Sequence, residues 1–318
     1  HLPYRTFAGQ NVALFDKPAS SNGAGFVRDV LKEGLAIEKS LGANPYKMGI
    51  IAASDTHLGT PGYVSEKDFQ GHGGAGAPVT ENATPTLPDS IEFNPGGLSG
   101  VWAEENTRAS IFAAFKRREV FGTSGPRIKV RMFAGWEYAD DLCEDKNYMS
   151  VASSTGTPMG SDLEFSTKGE APKLLVAALQ DPSSEPLQRV QVVKGWVDAE
   201  GAQHERVYDI LGSKDNGASV DPSSCATSPG LPEQSFSSSC KVWKDPDFNK
   251  NESSFYYTRV LENPSCRWHA RVCNTNQVQC DVPSSIKPGF EACCDGNYDK
   301  TIQERAWSSP IWYTAPAS

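Results

Sequence analysis

The chain has 318 residues, 22 % of them charged and 38 % hydrophobic, and 30 basic against 39 acidic residues give a formal net charge of −9. The hydrophobic share supplies a core and excludes wholesale disorder. The acidic balance excludes nucleic acid or an anionic membrane as the main partner, since both require a basic face, and no apolar run approaches the roughly 20 residues that span a bilayer. Length alone predicts about two domains. Composition changes near residue 125, which predicts an α/β domain over 1–125 and a β-sandwich-like domain with cysteine-rich loops over 126–318.

The first residue is His1, with no signal-peptide pattern before it, so the sequence is expected to be a processed product or a fragment. An N-terminal histidine can chelate copper, as in oxidative polysaccharide-cleaving enzymes. Those enzymes begin a β-sandwich at that residue, whereas this chain begins with an α/β pattern.

Residues 25–42, "GFVRDVLKEGLAIEKSLG", set Phe26, Val30, Leu31, Leu35, Ile37 and Leu41 on a stripe of helical period, with Gly42 as C-cap. "KMGIIAAS" then predicts a buried strand. The Gly-, Pro-, Thr- and Asn-rich residues 59–100 predict a long loop, of a length that is usually functional or mobile. "NTRASIFAAFKRREVFGTSGPR" predicts a second helix, capped by Asn106 or Thr107, with Ile111, Phe112 and Phe115 inward and Lys116, Arg117 and Arg118 at its C-terminal end. Helix, strand, loop and helix together read as an α/β layer. Beyond it, "IKVRMFAGW", "KLLVAALQD", "LQRVQVVKGWVD" and "SFYYTRVLE" predict strands. The alternation in "RVQVVKGWV" predicts a half-buried antiparallel one.

Of the 8 cysteines, Cys143 stands apart while Cys225, Cys240, Cys266, Cys273, Cys280, Cys293 and Cys294 crowd together. An even number in a loop-rich region predicts disulfides and an oxidising, periplasmic or secreted location. A zinc knuckle is the competing reading, but no CxxC pair exists. Connectivity stays open, except that adjacent Cys293 and Cys294 are expected to bond to different partners.

The apolar run of "GIIAASDTHLG" (49–59) ends in Asp55 and His57. At the end of a strand such a pair offers one hard oxygen and one imidazole nitrogen to a divalent metal. The alternative is a turn capped by Asp55 with His57 packed on it.

"GIIAASDTHLGTPG" resembles the last metal motif of the PHP superfamily of metal-dependent phosphoesterases. With "GFVRDVLKEGL", "GVWAEENTRASIFAAFKRRE" and "FGTSGPRIKVRMFAGW", most of residues 20–136 resemble the DUF3604 family, whose members carry a PHP-like barrel. The resemblance implies an α/β plus all-β chain: the C-terminal part of a PHP-like distorted (β/α) barrel, followed by a disulfide-stapled β-sandwich. It further implies Asp55 and His57 as metal ligands at the barrel mouth, with Zn, Mn or Fe as the ion. PHP-like proteins open with a His-x-His motif, and none occurs among the 5 histidines here. The expected partner is therefore an upstream N-terminal fragment of the same precursor that carries the missing ligands.

His72, in the glycine-rich "GHGGAGAP", is a candidate ligand or acid against a solvated loop histidine. Glu104 and Glu105 either favour a helix N-terminus or stand near the metal mouth, since "WAEEN" belongs to the family motif. Arg108 and Arg127 are candidates for an anionic substrate, against surface ion pairing. His204 and His269 read as structural. The reading is a metal-dependent hydrolase of phosphoester or related ester bonds, with a metal-bound water as nucleophile and His72, Glu104 and Arg108 as catalytic candidates. The alternatives are a secreted carbohydrate- or protein-binding module with a relic barrel, which an exposed row of Trp196, Trp243 and Trp268 would favour, and a structural surface protein.

Overall fold

A computed structural model describes residues 26–73, 86–166, 169–231 and 234–316. His1 lies outside the described residues. The larger sheet has eight strands: β1 (Leu98–Val101), β2 (Val120–Thr123), β5 (Asp162–Leu163), β7 (Leu187–Val197), β8 (Gln203–Gly212), β12 (Ser254–Cys266), β13 (Thr301–Ser308) and β14 (Ile311–Tyr313). The smaller holds β11 (Ser238–Lys244), β6 (Lys173–Leu179), β3 (Lys129–Gly135) and β4 (Thr157–Pro158) in that order. A two-stranded ribbon joins β9 (Ser219–Val220) to β10 (Thr227–Ser228). Four α-helices complete the frame: α1 (Val27–Leu41), α2 (Arg108–Lys116), α3 (Tyr148–Thr155) and α4 (Trp268–Thr275).

The strand β12 organises the large sheet. It pairs antiparallel with β7, with Thr258 opposite Val192, and antiparallel with β13 and β14. The strands β1 and β2 continue the sheet beyond β13, with Gly122 opposite Trp307. Residues on both sides of position 125 thus share one sheet. Among the described residues the only parallel pairing is the short β14–β5 ladder, and no closed barrel forms. The expected (β/α) barrel is corrected on this point. A parallel barrel needs a helical crossover that returns the chain to the same strand direction, whereas β1 and β2, the strands described within residues 1–125, are joined through α2 yet pair antiparallel.

The two sheets face each other across one core. Val130 and Met132 of β3 and Leu174 and Val176 of β6 meet Val190 and Val192 of β7 and Tyr256 and Val260 of β12. Each such side chain contributes about 1.5–3 kcal/mol on burial. The β7 strand is antiparallel as expected but not half-buried, since its outward Val193 and Val197 are covered by Leu31 and Leu35 of α1. Leu31 and Leu35 are one helical turn apart, so a narrow stripe suffices. Leu41 is left 77 % exposed. Gly42 caps α1 in the left-handed conformation, its N–H donating to Glu38 O.

The second helix is shorter than its sequence predicts. Thr107 caps it by accepting from Ser110 N, and the chain turns into β2 after Lys116. Ala114 is its buried residue, while Phe112 and Phe115 are exposed. Its expected apolar face therefore points outward.

All eight cysteines are paired: Cys143–Cys240, Cys225–Cys266, Cys273–Cys293 and Cys280–Cys294. The adjacent Cys293 and Cys294 do take different partners. The Cys273–Cys293 bridge anchors α4 to Phe290, and Trp268 of α4 gathers Phe69 and Ile91 from the long loop. No helix among the described residues is long and apolar enough to cross a membrane.

Candidate functional site

The segment before Asp55 is extended but is not a buried strand: no strand is assigned to residues 47–55, and Ile51 is 60 % exposed. The reason lies beneath it. Ser99 on β1 and Gly122 on β2 are register partners on one face of the sheet, and residues 50–53 lie across that face. A Cβ on Gly97 would come within 2.1 Å of Thr123 O and 2.8 Å of Ala52 Cβ, and one on Gly122 would come within 3.1 Å of the Ile51 carbonyl carbon. Only glycine permits this backbone-on-sheet approach. Side-chain hydroxyls replace a strand ladder: Ser99 Oγ accepts from Ala52 N at 3.2 Å and donates to Ala52 O at 2.6 Å. Ser309 Oγ accepts from Ile50 N at 2.9 Å, and Gly97 N donates to Ala53 O at 2.8 Å. The segment is tethered, yet its outer side is open.

At its end Asp55 takes a left-handed conformation, φ 56°, which a non-glycine residue adopts at a cost. His57 N donates to His72 O at 2.7 Å, joining the Asp-x-His loop to the glycine-rich loop. The Asp55 carboxylate and the His57 ring are exposed. Among the described residues neither takes part in a side-chain hydrogen bond or ion pair.

His72 is held firmly. Asp89 Oδ2 accepts from His72 N at 3.0 Å and from its Nδ1 at 2.7 Å. Phe69 and Phe93 set ring edges against it, with centroids 5.1 and 5.9 Å away. A carboxylate on Nδ1 fixes that nitrogen as donor and leaves Nε2 as acceptor, the arrangement that orients functional histidines. Asp89 stands in "LPDSIEF", where nothing in spacing or composition marks it.

The other candidates lie elsewhere. Glu104, Glu105 and Arg108 follow β1 and are exposed. Arg127 is exposed, with its backbone N–H on Asp181 at 2.7 Å. His204 pairs through Nε2 with Asp198 at 2.6 Å and stacks on Trp196. His269 is buried, and burial lowers its pKa to about 4, so it is neutral. Trp268 is 1 % exposed, so the three tryptophans form no exposed row. Among the described residues no group of three or more His, Cys, Asp or Glu is arranged to hold a metal ion.

Fold and site thus define a mixed α/β protein, mostly antiparallel and stapled by disulfides, with a tethered Asp-x-His loop. The family described as "Protein of unknown function (DUF3604)" matches residues 5–315, and the chain belongs to it. No curated protein and no solved structure matches the chain.

Proposed function

We propose that the chain carries part of the centre of a metal-dependent hydrolase acting on phosphoester or related ester bonds. Asp55 and His57 are two of the metal ligands, and His72, oriented by Asp89, is the proton-handling group beside them. The observation that carries this reading is the presentation of the pair. Asp55 is held at φ 56° on a tethered segment, and both side chains face outward without partners among the described residues. Backbone strain of this kind concentrates at functional sites.

The donor types suit Zn, Mn or Fe, with one hard oxygen and one imidazole. A bound ion of this class supplies a water whose pKa falls toward about 7, and hence a nucleophile at neutral pH. Catalytic zinc sites use three protein ligands, and the described residues offer no such group. The proposal therefore assigns the remaining ligands to an upstream segment of the same precursor, seated on the open side of residues 50–52. An apolar groove of about 280 Å³, lined by Phe26, Val27, Ile50, Ile51 and Trp307, gives that segment a place to bury apolar side chains. Within this site His72 Nε2 takes or returns a proton, and Asp89 holds the ring in the tautomer that allows it. Four disulfides fit an oxidising, extracytoplasmic location.

The test is elemental analysis of freshly isolated native protein, followed by assays on aryl phosphate and aryl ester substrates. Bound Zn, Mn or Fe is expected, lost together with activity in Asp55→Ala and His57→Ala. Metal-free native material, or unchanged activity in the double variant, overturns the reading.

A further inference from the structure

A second polar site lies apart from Asp55 and His57. A cavity of about 230 Å³ opens between residues 62–67, the turn at Gly125, the loop at Asp181–Glu185, and α4. Gly125 shapes its wall: φ is +147°, and a Cβ there would come within 2.7 Å of Val64 O.

Three buried carboxyls line it: Asp181, 7 % exposed, is satisfied by the N–H groups of Arg127 and Ser183, which leaves the pair Glu66 and Glu304. Glu66 is 8 % exposed and Glu304 4 % exposed. Glu66 Oε2 accepts from Trp268 N, and Glu304 Oε2 accepts from Ser124 Oγ. Glu66 Oε1, shielded from solvent, has no hydrogen-bond partner among the described residues. Behind them Glu262, 1 % exposed, accepts from Ser184 Oγ at 2.5 Å, and its Oε1 is also unpartnered. Among the described residues neither carboxyl of the pair sits in an ion pair.

Around the pair the lining is mixed, with Lys67, Arg127 and Arg271 against Asp181 and Glu185. Lys67 and Arg127 are exposed, and Arg271 of α4 has its Nε unpartnered among the described residues. A buried acid pair with basic groups beside it suits neither a simple anion nor a bare metal cation. It matches a small molecule with an ammonium at one end and an anionic group at the other.

We infer that this cavity binds an amino-acid-like zwitterion, its ammonium on Glu66 and Glu304 and its carboxylate toward Arg127 and Arg271. Proton bookkeeping supports the inference. Burial pushes Glu66 to about 7, against the lowering effect of Arg267, the Trp268 N–H and Arg271. Burial and the neighbouring Glu66 push Glu304 to about 8, against Ser124, Arg305 and Arg267. Asp181 and Glu185 from the facing loop and Lys67 at the mouth complete the charged surroundings. With both carboxyls raised, the pair keeps a proton near neutral pH, and an arriving ammonium displaces it.

The probes are the individual L-α-amino acids, screened by thermal shift and by amide NMR, with putrescine and acetate as one-ended controls. At least one amino acid is expected to raise Tm and move amide signals around residues 62–67, with calorimetric heats that vary with buffer ionisation because a proton leaves. Glu66→Gln should abolish binding with an unchanged circular-dichroism spectrum. The exposed Arg127→Ala, which disturbs no core contact, should weaken binding about tenfold, equivalent to about 1.4 kcal/mol. No response to any amino acid, equal response to putrescine or acetate, or undiminished binding in both variants overturns the proposal.

Discussion

The sandwich and the segment around Asp55 are both rich in apolar residues, but they use them differently. In β3, β6, β7 and β12 those residues meet across two sheets, and Val130, Met132, Leu174 and Val192 are fully buried. In residues 26–58 and in α2, Val27, Ile51, Leu58 and Phe112 stand 53, 60, 45 and 63 % exposed. Single exposed apolar residues are ordinary, but Val27 and Ile51 line one apolar groove, and such a grouping marks a surface for a partner. Hydrophobicity thus reports that a residue seeks cover, and not whether the same chain supplies it.

The largest expected effect separates the two regions directly. Val192→Asp puts an unpaired charge into the inter-sheet core and should prevent folding, a loss of more than about 4 kcal/mol. Ile51→Asp should change the stability of the isolated chain by less than about 0.5 kcal/mol, yet weaken capture of the proposed upstream segment. Denaturant melts of the two variants check this, and a strongly destabilised Ile51→Asp breaks the comparison.

Next in size is a pH effect rooted in the sandwich side. Burial, outweighing the Ser184 hydrogen bond and joined by the nearby Glu304, Asp181 and Glu185 charges, raises Glu262 from 4.5 to about 9. The folded carboxyl binds its proton more tightly than the unfolded chain does. Its contribution is therefore complete below the ordinary glutamate range and is lost as pH rises toward 9. Tm should fall by about 5 °C or more between pH 6 and pH 9, and Glu262→Gln should reduce that slope, with the raised Glu66 and Glu304 supplying the remainder. A wild-type Tm independent of pH over this window contradicts the assignment.

The tether beneath the Asp-x-His loop gives a smaller effect. Gly97→Val forces the loop segment off the sheet and should cost about 1–3 kcal/mol, with loss of hydrogen-exchange protection at Ala52. Retained protection there would show that the segment is held by something other than close backbone approach. The smallest effect has the opposite sign. Asp55→Gly relieves a left-handed aspartate and should stabilise the chain by about 0.5–1 kcal/mol while removing the proposed metal ligand. A destabilised Asp55→Gly would mean that the carboxylate serves the fold.

Much of the frame was legible because it is local. The turn of α1 at Gly42, the Thr107 cap, the strand character of β3, β6, β7 and β12, and disulfide use all follow from nearest-neighbour chemistry. The barrel expectation failed because a strand sequence does not state whether its partner runs parallel. The outward face of α2 and the open side of Ile51 were missed for a related reason: period reveals a stripe but not what stands opposite. Glu304 was detectable in principle, since it shares the inward register of Ile302 and Ala306 on β13, where a carboxyl is costly. Asp89 was not detectable, because its importance comes only from its hydrogen bonds to His72, 17 residues away.

By itself the sequence determined the class of the chain: an acidic, disulfide-bearing mixture of helices and strands with an Asp-x-His loop after an apolar run. Those properties reside in composition and short-range backbone preference. Tertiary structure alone decided which side of that run is open, which histidine is oriented by a carboxylate, and that Glu66 and Glu304 meet in one cavity. Each of these depends on segments that lie far apart in the chain, and no local preference encodes such meetings.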